Sequence, residues 1–151
     1  MDDARNLDGE PLISFALARA ATAFGRAVAQ VYRGEAGLSG PEFAVIQILG
    51  AAASRRATSS EIVAATTMDK TKVSRAVASL AARGWLQRMR AETDRRYEFL
   101  SLTPDGEGAY ATLVPHVRDV EESVLARLTE EERRNLSLGL LGLLRSFDAR
   151  D

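Results

Sequence analysis

The sequence predicts a mostly α-helical fold with one small β-hairpin. Three observations predict it. Apolar residues recur every three or four positions through most of the chain. Two N-capping patterns, Thr58-Ser59-Ser60-Glu61 and Asp69 before Lys70, open a short helix and a longer one on either side of the turn Thr66-Thr67-Met68. Between Trp85 and Leu102 the period changes to alternation around the tip Ala91-Glu92-Thr93-Asp94.

Residues 1–10 read as a flexible tail, and Pro11 suits a first helical turn. From Leu12 to Tyr32, Ile13, Leu17, Ala20, Phe24, Ala27, Val28 and Val31 form one stripe. Its alanines favour helix and let a second helix come close. Arg33-Gly34-Glu35-Ala36-Gly37 breaks it. Leu38-Ser39-Gly40-Pro41-Glu42 opens the next helix, in which Phe43, Val45, Ile46, Ile48 and Leu49 are apolar almost all round. Such a helix is expected to be well buried. It stops in Gly50-Ala51-Ala52-Ala53-Ser54. The Thr58 hydroxyl can accept from the Glu61 amide while the Glu61 carboxylate reaches back, so a short helix runs through Ile62-Val63-Ala64-Ala65. Asp69 caps a helix from Lys70 to about Arg83, closed by Gly84. Its inner stripe is Val73, Ala76, Val77 and Leu80; its outer face is Lys70, Thr71, Lys72, Ser74, Arg75, Ser79 and Arg83. Trp85–Arg90 and Arg95–Leu102 are the two extended runs. Thr103-Pro104 caps a long helix to about Leu128, with an expected kink at Pro115. Thr129-Glu130-Glu131-Glu132 opens a last helix bearing Leu136, Leu140, Leu143, Leu144 and Phe147.

With 151 residues the chain is one domain by size, with room for a core that needs no staples. It has no cysteine, which excludes disulfides, thiolate catalysis and thiol redox sensing. A single histidine, His116, excludes a metal site built on several His, and this residue reads as partly buried and hydrogen-bonded. There is no Gly-rich phosphate loop, serine elbow or His–carboxylate cluster, so no enzyme and no cofactor are expected. The acidic start MDDARNLDGE lacks an apolar stretch, and the longest nearly apolar run, Leu136–Leu144, is too short to span a membrane. A cytoplasmic location without membrane contact is the expectation. Net charge is −1, but unevenly spread: from Arg55 to Thr103 ten Lys/Arg face five Asp/Glu, giving +5, and the remainder carries −6.

A short helix, tight turn and second helix make a helix-turn-helix, and a hairpin directly after it makes a wing. The basic segment coincides with both, which points to double-stranded DNA as the partner. In this arrangement Thr71, Lys72, Ser74 and Arg75 lie near the N-terminus of the helix that would enter the major groove. Arg75 suits guanine, Thr71 a thymine methyl or a phosphate, and Lys70 and Lys72 suit phosphates. Arg95 and Arg96 belong to the wing; Arg88 and Arg90 read as phosphate contacts or plain surface, and Trp85 as core. The apolar stripes of the first and last helices exceed what one small monomer needs, which a homodimer explains. The competing class is a winged-helix protein–protein interaction module that does not touch DNA.

The residues also resemble a known family. Asp94-Arg95-Arg96, followed by Leu100-Ser101-Leu102-Thr103 and Gly106, matches the D-x-R…L-x-L-T-x-x-G signature of the MarR (multiple-antibiotic-resistance) transcriptional regulators. Leu38-Ser39, Glu42-Phe43 and Val45 resemble the start of that family's second helix, Thr71-Lys72-Val73-Ser74-Arg75 with Gly84-Trp85-Leu86 its recognition helix and exit, and Leu128-Thr129 with Glu132 the start of its last helix. The resemblance runs from about Leu12 to Phe147. It implies a homodimeric, ligand-responsive regulator, commonly a repressor, bound to a pseudo-palindromic operator. It implies that Arg96 enters the minor groove with Asp94 holding it in place. The expected layout is a tail (1–10), an N-terminal dimerisation helix (11–37), a winged helix-turn-helix domain (38–103) and C-terminal dimerisation helices (104–151). A small aromatic or amphipathic effector would bind between the dimer region and the winged domain, with Phe24, Val28, Phe43, Ile46 and Gln47 as candidate positions.

Overall fold

A computed structural model describes residues 12–90 and 98–148. The order is α1 (Ile13–Ala36), α2 (Gly40–Ala51), α3 (Ser59–Ala65), α4 (Lys70–Ala82), β1 (Leu86–Arg90), β2 (Glu98–Leu102), α5 (Pro104–Leu125) and α6 (Glu130–Asp148). The fold is thus mostly helical with a small antiparallel hairpin, as the sequence predicts.

Local chemistry sets the boundaries. Ser39 and Glu42 form the capping box of α2, Thr58 and Glu61 that of α3. The Asp69 carboxylate accepts from the Lys72 amide at 2.8 Å and starts α4. Gly84 stops the chain after α4 at φ 74°, where a side chain would be strained. Thr129 and Glu132 satisfy each other at the start of α6, the amide of Thr129 donating to Glu132 Oε2 at 2.8 Å. The α1 helix continues to Ala36, one turn beyond the expected break, and closes on Gly37 in the left-handed region.

The core sits among α2, α3, α4 and the base of the hairpin. Leu38, Val45, Ile46, Leu49, Ile62, Val73, Val77, Leu80 and Leu100 are at most 1% exposed. The inner stripe of α4 is Val73, Ala76, Val77 and Leu80, all buried. The strands pair with Leu86 opposite Leu102 and Arg88 opposite Leu100. Ala57 adds a single bridge to Leu100, its amide donating at 3.0 Å and its carbonyl accepting at 2.8 Å. The segment before α3 therefore acts as a one-residue third strand.

The start of α5 is locked onto the exit of α4. The Thr103 hydroxyl donates to the Gly84 carbonyl at 2.6 Å and accepts from the Gly106 amide at 3.2 Å. The Thr103 amide donates to the Trp85 carbonyl at 3.0 Å. A Cβ on Gly106 would collide with that same Trp85 carbonyl oxygen. The Thr-x-x-Gly spacing is therefore a packing requirement of this corner. Pro115 lies inside α5, which continues through it to Leu125.

Candidate nucleic-acid interface

Lys70, Thr71, Lys72, Ser74 and Arg75 are all exposed, on the side of α4 opposite its buried stripe. The period of the helix puts Thr71 and Arg75 on one face. Lys72 stands 4.0 Å from Asp69, with both side chains 62% exposed, a pair too solvated to hold the lysine. Arg75 has no ion-pair partner among the described residues.

The helix carrying this face is anchored at its other end. Glu42 at the start of α2 is 9% exposed and divides its carboxylate. Oε2 accepts from the Ser39 amide and hydroxyl, both at 2.7 Å; Oε1 accepts from the Ser79 hydroxyl of α4 at 2.5 Å. Burial alone would raise this carboxyl, but the hydrogen bonds from Ser79 and Ser39, helped by the charge of Arg83, hold it below the ordinary carboxylate range. Arg83 donates to the Ala36 carbonyl at the end of α1 at 2.7 Å, and its guanidinium lies 4.5 Å over the Trp85 ring. Trp85 is half-buried against the core with this cation on its face. Neither cross-helix link has a periodic signal; only the Ser39-x-x-Glu42 box hints at one of the partners.

In the wing, Asp94, Arg95 and Arg96 lie outside the described residues. Of the flanking cations, Arg88 is paired with Glu98 at 2.8 Å, and Arg90 is exposed. Arg56, beside the Ala57 bridge, lies 4.5 Å over the Phe99 ring.

The five effector candidates differ in exposure. Phe24 and Val28 are half-buried on α1, and Phe43 stacks on Tyr32 with ring centroids 4.6 Å apart. Ile46 is fully buried in the core and offers no surface to a ligand here, whereas its neighbour Gln47 is exposed. His116 corrects the expectation of partial burial. Its side chain is 51% exposed and reaches across from α5 to Glu35 of α1, Nδ1 to Oε2 at 2.7 Å. The hydrogen bond to Glu35, and secondly that carboxylate's charge, raise the imidazole above its usual range.

The chain ends present apolar surface. Residues 12–23 of the α1 region are exposed throughout, including Leu12, Ile13, Phe15 and Leu17. No described residue of α6 is buried, and Leu136, Leu138, Leu140, Leu141, Leu143, Leu144 and Phe147 are all exposed. A forked pair fixes α6 to α5, the two Arg133 Nη atoms meeting the two Glu122 oxygens at 2.5 and 2.6 Å.

Helix, turn, polar-faced helix and hairpin in this packing define a winged helix-turn-helix protein. Residues 36–96 match the model of the MarR family. HTH-type transcriptional regulator BilQ of Clostridium symbiosum is 33% identical over 76 residues, a match that spans 50% of this chain and 53% of that relative. The structure is similar to that of Sco3205, a MarR family transcriptional regulator from Streptomyces coelicolor solved in complex with DNA, at 25% identity and TM-score 0.79, covering 100% of this chain and 94% of the other. A probable transcriptional regulator from Pseudomonas aeruginosa is similar at 27% identity and TM-score 0.73, over 92% and 99% of the two chains. Residues 36–96 thus match the MarR family, and the whole chain shares the winged helix-turn-helix fold of these solved transcriptional regulators. Among the described residues no helix is long and apolar enough to cross a membrane.

Proposed function

We propose that the protein is a cytoplasmic homodimeric repressor that binds a pseudo-palindromic operator and releases it in response to a small aromatic or amphipathic effector. The observation that carries this reading is the exposed, cationic first half of α4, held on a buried scaffold beside the hairpin. Lys70, Thr71, Lys72, Ser74 and Arg75 reach the major groove, Arg75 reading guanine. Asp94, Arg95 and Arg96 serve the wing, with Arg96 favoured by a narrow A·T-rich minor groove. Residues 38–103 are the DNA-binding domain; 11–37 and 104–151 supply the dimer contacts through the exposed apolar side chains of α1 and α6, and 1–10 is a tail. The two α4 helices must sit about 34 Å apart to enter successive major grooves. An effector seated along Phe24, Val28, Phe43 and Gln47, over Ile46, breaks binding by preferring another spacing.

The test is selection of duplexes from a random-sequence library by the purified protein, followed by sedimentation of the selected complex. Enrichment of a two-fold symmetric sequence bound by two chains is expected. Failure to enrich any sequence overturns the DNA-binding reading and favours a protein-interaction module.

A further inference from the structure

We infer that Glu42 is a positioning residue for sequence-selective DNA binding: through the Ser79 hydroxyl it fixes how far and at what angle α4 leaves the body of the domain. This rests on the reading of α4 as the helix that enters the major groove.

A carboxylate this far from water needs both of its oxygens partnered. Capping needs only one of its oxygens. Oε2 alone serves Ser39, at 2.7 Å to both its amide and its hydroxyl. Oε1 is left over for α4, and Ser79 meets it at 2.5 Å across 37 residues of chain. Because the carboxyl is held in its charged form at neutral pH, this is a charge-assisted bond, about twice as strong as a neutral one. Its location matters as much as its strength. Ser79 is one turn after Arg75, and Lys72, Arg75 and Ser79 line the same cleft as Ser39 and Glu42. The bond therefore holds α4 from the face that carries Arg75, where small tilts of the helix are read directly as displacement of the base-contacting guanidinium. Hydrophobic packing of Val73, Val77 and Leu80 fixes depth but tolerates sliding; a short directional bond does not.

The experiment uses the full-length protein, the symmetric duplex it enriches from a random library, and a shuffled duplex of equal composition. Ser79→Ala removes only the α4 end of the link, leaves the Ser39 cap intact, and puts a good helix former at an exposed site. Its affinity for the enriched duplex is expected to fall about tenfold, the lower part of what a misplaced bidentate base contact costs. Affinity for the shuffled duplex and the salt slope on it should stay at wild-type values, while the melting temperature falls by a few degrees because a buried carboxylate oxygen loses its donor. Ser79→Thr keeps the hydroxyl and should recover at least half of the lost selectivity on a logarithmic scale. Equal selectivity in Ser79→Ala and wild type overturns the inference while leaving the DNA-binding reading intact. Equal losses on both duplexes, or a reduced salt slope, assign Ser79 to direct phosphate contact and also overturn it. Absence of any enriched duplex for the wild type removes the underlying reading and the inference with it.

Discussion

Ile46, Leu49, Ile62 and Leu80, between α2, α3 and α4, are at most 1% exposed, whereas Leu138, Leu144 and Phe147 on α6 are 61% exposed. The residue types are the same and the helices are comparably regular. The difference lies in what each helix packs on. The winged region closes over its own side chains and leaves no buried side-chain polar atom unpartnered among the described residues. The ends of the chain offer a row of leucines to nothing in the same chain. Each such side chain gains roughly 1.5–3 kcal/mol on full burial. Several together are comparable with the roughly 4–15 kcal/mol that association costs in lost freedom. One region is a finished fold, and the other presents the apolar face that the proposed dimer would cover.

That contrast can be broken from either side. The largest effect is expected inside the winged region. Leu100→Ala deletes a fully buried side chain at the residue whose backbone pairs with Ala57, and urea unfolding should show a loss of about 2–5 kcal/mol. Gly106→Ala should act through the same body, because its new methyl meets backbone that cannot turn aside. Next comes the arm. Leu140→Glu combined with Leu144→Glu should leave urea unfolding of the winged region intact yet weaken self-association at least about a hundredfold, since charges placed in an apolar interface lose their water. Sedimentation should then show the 16.4 kDa chain, and a dimer undiminished by both changes would remove α6 from the interface.

Smaller effects separate the DNA-facing residues from both regions. Arg75→Ala should cost about 1–3 kcal/mol on the selected operator and relax preference at one base pair per half-site. Arg96→Ala should leave that preference alone and lower the salt slope by about one unit per contact. Fluorescence anisotropy at several salt concentrations with single-base variants reads both. An unchanged Arg75→Ala sinks the assignment of α4, and an unchanged Arg96→Ala sinks that of the wing.

The smallest effect concerns the one ion pair that joins α1 to α5. His116 has its pKa raised in the folded state, so its contribution is fully present below the ordinary imidazole range and fades as pH rises through the raised value. Urea midpoints of wild type and His116→Gln should differ slightly near about pH 5.5 and converge above about pH 8.5. A constant difference across that range would show that the pair contributes nothing that titrates.

Much of this was legible in the residues. The stripe Val73, Ala76, Val77 and Leu80 announces the buried side of α4 because a helix repeats its face every 3.6 positions. Capping boxes announce helix starts because both partners lie within four residues. The Ala57–Leu100 bridge is not legible, since one paired residue leaves no period. Nor is the link from Glu42 to Ser79 or from Arg83 to the Ala36 carbonyl, where the partners lie 37 and 47 positions apart and no local pattern relates them. For His116 the expected hydrogen bond is present and the expected burial is not, because its partner Glu35 sits on the exposed side of another helix, which no neighbour in sequence reveals.

The corner at Thr103 has a mechanical consequence. No linker separates β2 from α5: one residue stands between them, and it is bonded to the carbonyl of Gly84 and, through its amide, to that of Trp85. The α5 helix is thus clamped at one end to the exit of α4, with Pro115 midway along it. Its 22 residues make it about 33 Å long. A sideways shift of about 3 Å at Leu125 turns the clamped end by about 5°, by simple geometry on that length. In the proposed dimer, contacts at the far end of α5 would reach the exit of α4 through this corner, with no loop between them to absorb the shift.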